Sequence, residues 1–184
     1  MVSGLDNMSV QFMGRRWWIF FLDGYNFVCK EAHEIFRLDI KPSDSIIEIG
    51  SAPGGISYYL LELGVKLTSI DPAVMDPHLL EQYAKNFTHL KESIFDIQSQ
   101  HLPSYCDWVI SDLNLDGDLN INQSGKIIKM FPNLKGAFLT VKTPRSEDIK
   151  RISKWTIGFK QRFKVNIINL PSHRKEIGII LQRK

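Results

Sequence analysis

Cysteine is almost missing from this chain. Its two residues, Cys29 and Cys106, lie far apart and match neither a metal-binding spacing nor a disulfide framework. A reducing compartment, the cytoplasm, is therefore expected. Long apolar runs are missing too. Trp17-Trp18-Ile19-Phe20-Phe21-Leu22 is strongly apolar but stops at Asp23-Gly24, short of the roughly 20 residues that span a bilayer. Arg15-Arg16 precedes it, yet no small-residue cleavage site follows, which argues against an export signal. The run is expected to be a buried strand or a docking strip, and no membrane association is expected. His33, His78, His89, His101 and His173 fall in no ligand pattern, so no metal is expected. Repeats, low-complexity tracts and Pro/Gly/Ser linkers are also lacking. The 184 residues suit one domain, with 1–25 as an N-terminal extension and 26–184 as the folded unit.

A strong overall charge is absent as well, since the formal net charge is +3. Its distribution is lopsided, however. Residues 1–125 hold 8 Lys/Arg against 17 Asp/Glu, and residues 126–184 hold 15 against 3. A half so basic suits a polyanion, because phosphates are bound chiefly by clustered Lys and Arg, although a solvated basic face would have the same composition.

After residue 25, short β-rich runs alternate with helical patterns, the signature of a mostly parallel sheet covered by helices. Helices are expected over 26–38, Gly55–Leu63, Pro77–Asn86 and 123–133, and over a long stretch capped by Ser146. That last helix would pack Ile149, Ile152, Trp155, Phe159 and Phe163 on the sheet and leave Lys150, Arg151, Lys154 and Arg162 outside. Strands are expected at Ser45–Gly50, Val65–Asp71, Phe87–Lys91, Asp107–Asp112, Gly136–Lys142, Val165–Leu170 and Glu176–Gln182. The short link between the last two permits an antiparallel hairpin. The fold class is α/β, a Rossmann-like, mostly parallel seven-stranded sheet with a C-terminal antiparallel hairpin.

Glu48-Ile49-Gly50-Ser51-Ala52-Pro53-Gly54-Gly55 joins the first strand to its helix. Such a turn, at the carboxyl end of a strand, is where open α/β sheets bind ligands, and its glycines let a ligand approach the main chain. Asp71 ends the next strand, 21 residues after Gly50, where a carboxylate can accept both hydroxyls of an adenosine ribose. A nucleotide-type cofactor is expected. NAD is the rival, but Pro53 spoils the G-x-G-x-x-G fingerprint that cradles a pyrophosphate. S-adenosylmethionine has no phosphates to cradle, and the sequence favours it.

Four segments together resemble the FtsJ-type ribose 2′-O-methyltransferases. Gly50-Ser51-Ala52-Pro53-Gly54-Gly55 is similar to that family's Ala-Pro-Gly-Gly cofactor loop. Asp107-Trp108-Val109-Ile110-Ser111-Asp112 resembles its strand ending in a catalytic aspartate, and Gly136 to Lys142 its strand ending in a catalytic lysine. Arg174-Lys175-Glu176-Ile177 resembles the start of its last strand. The resemblance covers residues 26–184. It implies a Lys-Asp-Lys-Glu tetrad that falls on Lys30, Asp112, Lys142 and Glu176. It also implies cofactor contacts from Gly50, Ser51, Ala52, Pro53, Gly54, Gly55, Asp71, Asp112, Ile94 and Ser93, where Ser93 stands in place of the aspartate the family commonly puts near the adenine. Leu170 to Ile177 is further similar to the RlmM group, which modifies a cytidine ribose in large-subunit ribosomal RNA. That group carries an additional RNA-binding region ahead of its catalytic domain. Only about 25 residues precede the domain here, so RNA-binding elements are expected from a partner or from a domain absent from this chain.

The chemistry implied by the resemblance calls for this set of residues. A ribose hydroxyl is a poor nucleophile near neutral pH, so a catalyst must align it with the methyl donor and remove its proton as the bond forms. An amine such as Lys142 serves as base only when partly neutral. A neighbouring cation such as Lys30 favours that state, and Asp112 and Glu176 oppose it. Coupled groups of this kind titrate as a unit. A methyltransferase for another substrate, a dehydrogenase and a non-catalytic RNA-binding relative remain the alternatives.

Overall fold

The short β-rich runs assemble into a single seven-stranded sheet of order β3-β2-β1-β4-β5-β7-β6. The computed structural model describes residues 38–143, 146–169 and 175–184. Lys30, the Trp17–Leu22 strip, His173 and all but the last residue of the helix expected over 26–38 therefore lie outside the described residues.

The strands are β1 (Ser45–Ile49), β2 (Lys66–Ile70), β3 (Phe87–Leu90), β4 (Trp108–Ser111), β5 (Gly136–Lys142), β6 (Phe163–Asn169) and β7 (Glu176–Arg183). The first five pair in parallel, and β7 runs antiparallel to both β5 and β6. The expected hairpin is present. Its return strand inserts beside β5, which leaves β6 at the sheet edge. Four described helices cover the sheet: α1 (Gly55–Glu62), α2 (Pro77–Gln82), α3 (Gly117–Met130) and α4 (Ser146–Ile157). Every residue of β1 and β4 is buried, as expected for central strands covered on both faces. The core lies in two layers. One gathers Ile46, Leu60, Leu67, Leu79 and Phe138, and the other Ile47, Val109, Ile128, Leu139, Trp155 and Ile179.

Several sequence-based boundaries need correction. The helix expected over 123–133 begins six residues earlier, at Gly117. Asp116 caps it by accepting the Asp118 N–H at 3.0 Å, and the chain leaves helical geometry at Phe131 ahead of Pro132. The helix expected to reach Asn86 ends at Gln82, with Asp76 as its cap. The helix expected to be capped by Ser146 is α4, which begins at Ser146. That helix ends at Ile157, so Phe163 belongs to β6. Arg162 is not left outside. Its guanidinium donates to the carbonyls of Ile128 (3.3 Å), Phe131 (2.8 Å) and Pro132 (3.2 Å), closing the C-terminal end of α3, where a cation is favoured by the helix dipole. Arg151 is also occupied: it pairs with Asp118 and with Asp148 and lies 5.8 Å from the Trp155 ring centre.

The amino ends of the strands are latched by charge. Buried Asp44 accepts from Lys135 Nζ (2.8 Å) and Trp108 Nε1 (3.0 Å), while Asp107 accepts the Ser45 N–H (2.9 Å). Among the described residues the carboxyl ends are open. The chain reverses direction across the sheet between β1 and β4, and that switch point, at the carboxyl ends, is where ligands enter open α/β sheets.

Candidate active site

A cleft of about 560 Å³ opens at this switch point. It is lined by Gly50, Ala52, Ile70, Asp71, Pro72, Ser93, Ile94, Phe95, Asp112, Leu113, Asn114, Leu115, Lys142 and Glu176. Eight of the residues singled out from the sequence meet here: Gly50, Ala52, Asp71, Ser93, Ile94, Asp112, Lys142 and Glu176. Ser51, Pro53, Gly54 and Gly55 do not line it.

The glycine loop is shaped by packing as much as by room for a ligand. Gly50 has φ +79°, and a Cβ there would stand 2.5 Å from the carbonyl oxygen of Asp112. Only glycine lets the β1 and β4 ends approach so closely. Gly54, at φ +120°, would drive a Cβ into Leu79 at 2.5 Å and Met75 at 2.7 Å. It serves the seating of α2 under the loop. Ser51 is buried, and its Oγ finds no hydrogen-bond partner among the described residues.

Asp71 ties the loop to β2. Its Oδ2 accepts the Ala52 N–H at 3.1 Å and its Oδ1 the Ala73 N–H at 2.8 Å. A carboxylate has about four acceptor positions, so each oxygen keeps capacity for a further donor from the cleft. On the far side, Ser93 Oγ accepts the Phe95 N–H at 3.3 Å, and half-exposed Phe95 stands beside buried Ile94.

Parallel pairing of β4 with β5 brings Asp112 and Lys142 to neighbouring strand ends, and antiparallel pairing of β5 with β7 sets Lys142 directly opposite Glu176. Lys142 Nζ lies 3.9 Å from Glu176 Oε1 and donates to Asn114 Oδ1 at 2.5 Å. Asn114 was missed in the sequence. Its only signal there is a short polar side chain two residues beyond the strand-ending Asp112.

Beneath the loop lies Glu48, fully buried on β1, where burial pushes its carboxyl up to about 8. Ser57 Oγ donates to Oε2 at 2.5 Å and partly offsets that effect, while nearby Asp112 and Asp71 add to it. Oε1 has no hydrogen-bond partner among the described residues. Near pH 7 the group is predominantly a neutral acid. His89, whose Nε2 lies 3.1 Å from the Asp71 carbonyl, is held below its ordinary value by burial.

Comparison with known proteins agrees with this architecture. The description FtsJ-like methyltransferase belongs to a family model that matches residues 29–176. Two curated relatives are named ribosomal RNA large subunit methyltransferase M. The protein of Laribacter hongkongensis is 22% identical over 176 residues, covering 83% of this chain and 45% of the relative. That of Hahella chejuensis is 30% identical over 67 residues, covering 36% and 16%. The matches thus span less than half the length of these relatives. Among solved structures, Aeropyrum pernix fibrillarin with natively bound S-adenosyl-L-methionine superposes with a TM-score of 0.65 at 14% identity, over 87% of this chain and 76% of that one. That likeness establishes the fold alone. With the family match extending over most of the chain, and the sheet order and cleft in agreement, this protein belongs to the FtsJ-like methyltransferases.

Proposed function

We propose that this chain transfers the methyl group of S-adenosylmethionine to a ribose 2′-hydroxyl of RNA, with ribosomal RNA as the substrate class and residues 26–184 as the catalytic unit. The observation that carries this reading is the convergence of Asp112, Lys142 and Glu176 on the same cleft as Asp71 and the glycine loop. The residues fit the cofactor. Asp71 keeps acceptor capacity for two ribose hydroxyls, Ser93, Ile94 and Phe95 form a half-apolar wall suited to adenine, and the volume falls within the usual range for small-molecule sites.

When bound, the cofactor supplies a methyl already activated by its sulfonium. Asp71 would hold the cofactor ribose, Gly50 and Ala52 would line its path, and Asp112 would border the methionine portion. Lys142 and Glu176, with Asp112, would receive and orient the 2′-hydroxyl and take up its proton as the new O–C bond forms. Lys30, which the family match includes, is proposed as the second lysine of this cluster. The basic C-terminal half would hold RNA phosphates, with Lys150 and Lys154 as its exposed members on α4. A partner or a further domain would complete RNA recognition, because the relatives carry more than twice the matched length. Incubation with tritiated cofactor and ribosomal RNA from a strain lacking this protein, followed by nucleoside mass spectrometry, tests the reading. A 2′-O-methyl nucleoside is expected, and methylation confined to a base would overturn it.

A further inference from the structure

The amine of Lys142 ends a flexible four-carbon stem, so it reaches one fixed position only where something holds it. Glu176 Oε1, at 3.9 Å, is within ion-pair range but too distant for a hydrogen bond. Asn114 Oδ1 accepts from the same amine at 2.5 Å. We infer that Asn114 is a positioning residue for Lys142, an uncharged acceptor that aims the amine into the cleft. The inference rests on the proposed role of Lys142 in the reaction.

The arrangement behind Asn114 supports this role. Asn120 is fully buried on α3, and its Nδ2 donates both to the Leu113 carbonyl (3.4 Å) and to the Thr140 carbonyl (2.8 Å). One side chain therefore ties the residue preceding Asn114 to β5, two residues before Lys142. Its Oδ1 in turn accepts from Ser124 Oγ at 3.1 Å. Donor and acceptor are held in a common frame before any substrate arrives, and such preorganisation makes a positioned group effective. An amide also suits the place chemically. Asp112 and Glu176 already line this cleft, and asparagine holds the amine by a hydrogen bond without adding a third carboxylate.

The test uses the full chain and two variants. Asn114→Leu keeps the side chain's size but removes the acceptor, whereas Asn114→Asp keeps an acceptor oxygen. Asn114 is exposed, so neither change disturbs the core. Brief labelling with trace acetic anhydride, read by peptide mass spectrometry with Lys129 as internal reference, reports the state of the Lys142 amine without need of activity. Asn114→Leu is expected to raise Lys142 labelling at least threefold, and Asn114→Asp is expected not to raise it. In the transfer assay, Asn114→Leu should lower kcat at least thirtyfold, with KM for RNA and Kd for S-adenosylmethionine within twofold of native. Unchanged Lys142 labelling in Asn114→Leu overturns the inference, as does a kcat within threefold of native. If the native chain methylates no RNA while labelling responds as expected, the proposed function fails and the Asn114–Lys142 contact stands.

Discussion

Replacing Glu48 with glutamine should abolish a specific loss of stability between pH 5 and pH 8. Glu48 has an ordinary value of 4.5 and is raised to about 8 in the folded protein, chiefly by burial. In that window the folded state binds a proton that the unfolded state has released. Stability rises with pH where the unfolded chain binds more protons, so here the sign is opposite and stability falls as pH rises. With 1.36 kcal/mol for each unit of difference, integration from pH 5 to pH 8 gives a loss of about 3–4 kcal/mol. For a domain of this length that corresponds to a fall in Tm of about 7–14 °C. Glutamine has the same shape, can accept the Ser57 hydroxyl hydrogen bond that Glu48 accepts, and does not titrate. Thermal melts of both proteins across that range, followed by circular dichroism without ligand, should show the Tm of Glu48→Gln gaining on native as pH rises, by about that amount. The comparison cancels the other titrating groups common to both chains. A constant difference between the two curves would refute the argument, because Glu48 would then titrate alike in both states.

Lys142→Ala should abolish methyl transfer while leaving the fold and cofactor affinity intact, and Lys142→Arg should be nearly as inactive because a guanidinium cannot give up its proton in this pH range; near-native transfer by Lys142→Ala would mean the active site lies elsewhere. Asp71→Ala should weaken S-adenosylmethionine binding by roughly 1.5–3 kcal/mol in calorimetry, the scale of hydrogen bonds to a charged group. Unchanged affinity, or tighter binding of NAD by the native chain, would contradict the cofactor assignment. Lys150→Glu should weaken RNA binding, flatten its dependence on salt and spare cofactor binding. Lys150 is a cleaner probe than Arg151, whose reversal would also break its pairing with Asp118 and Asp148; RNA affinity insensitive both to salt and to this change would reduce the patch to a solvated face.

Much of the site is local in origin and therefore legible along the chain. A buried strand such as Ser45–Ile49 declares itself by an apolar run. The turn after it requires glycine, and the acid at the end of the next strand follows at a set spacing. Lys142 and Glu176 mark the ends of runs whose β-character is local as well. What could not be read is whatever depends on partners from distant segments. Gly117 starts α3 because Asp116 caps it and because the Trp155 ring, 38 residues on, packs where a Cβ would stand. Arg151 and Arg162 look like a helix's outer charges until α3 supplies Asp118 to one, and the end of α3 with the turn after it supplies three carbonyls to the other. Asn114 is an unremarkable loop residue until β5 sets Lys142 beside it. Chain order alone sets β7 after β6, yet hydrogen-bond pairing with β5 places it inside the sheet and brings Glu176 opposite Lys142. Glu48 reads as an ordinary acid in the sequence. Only complete removal from water, which no single segment can achieve, makes it hold its proton near neutral pH.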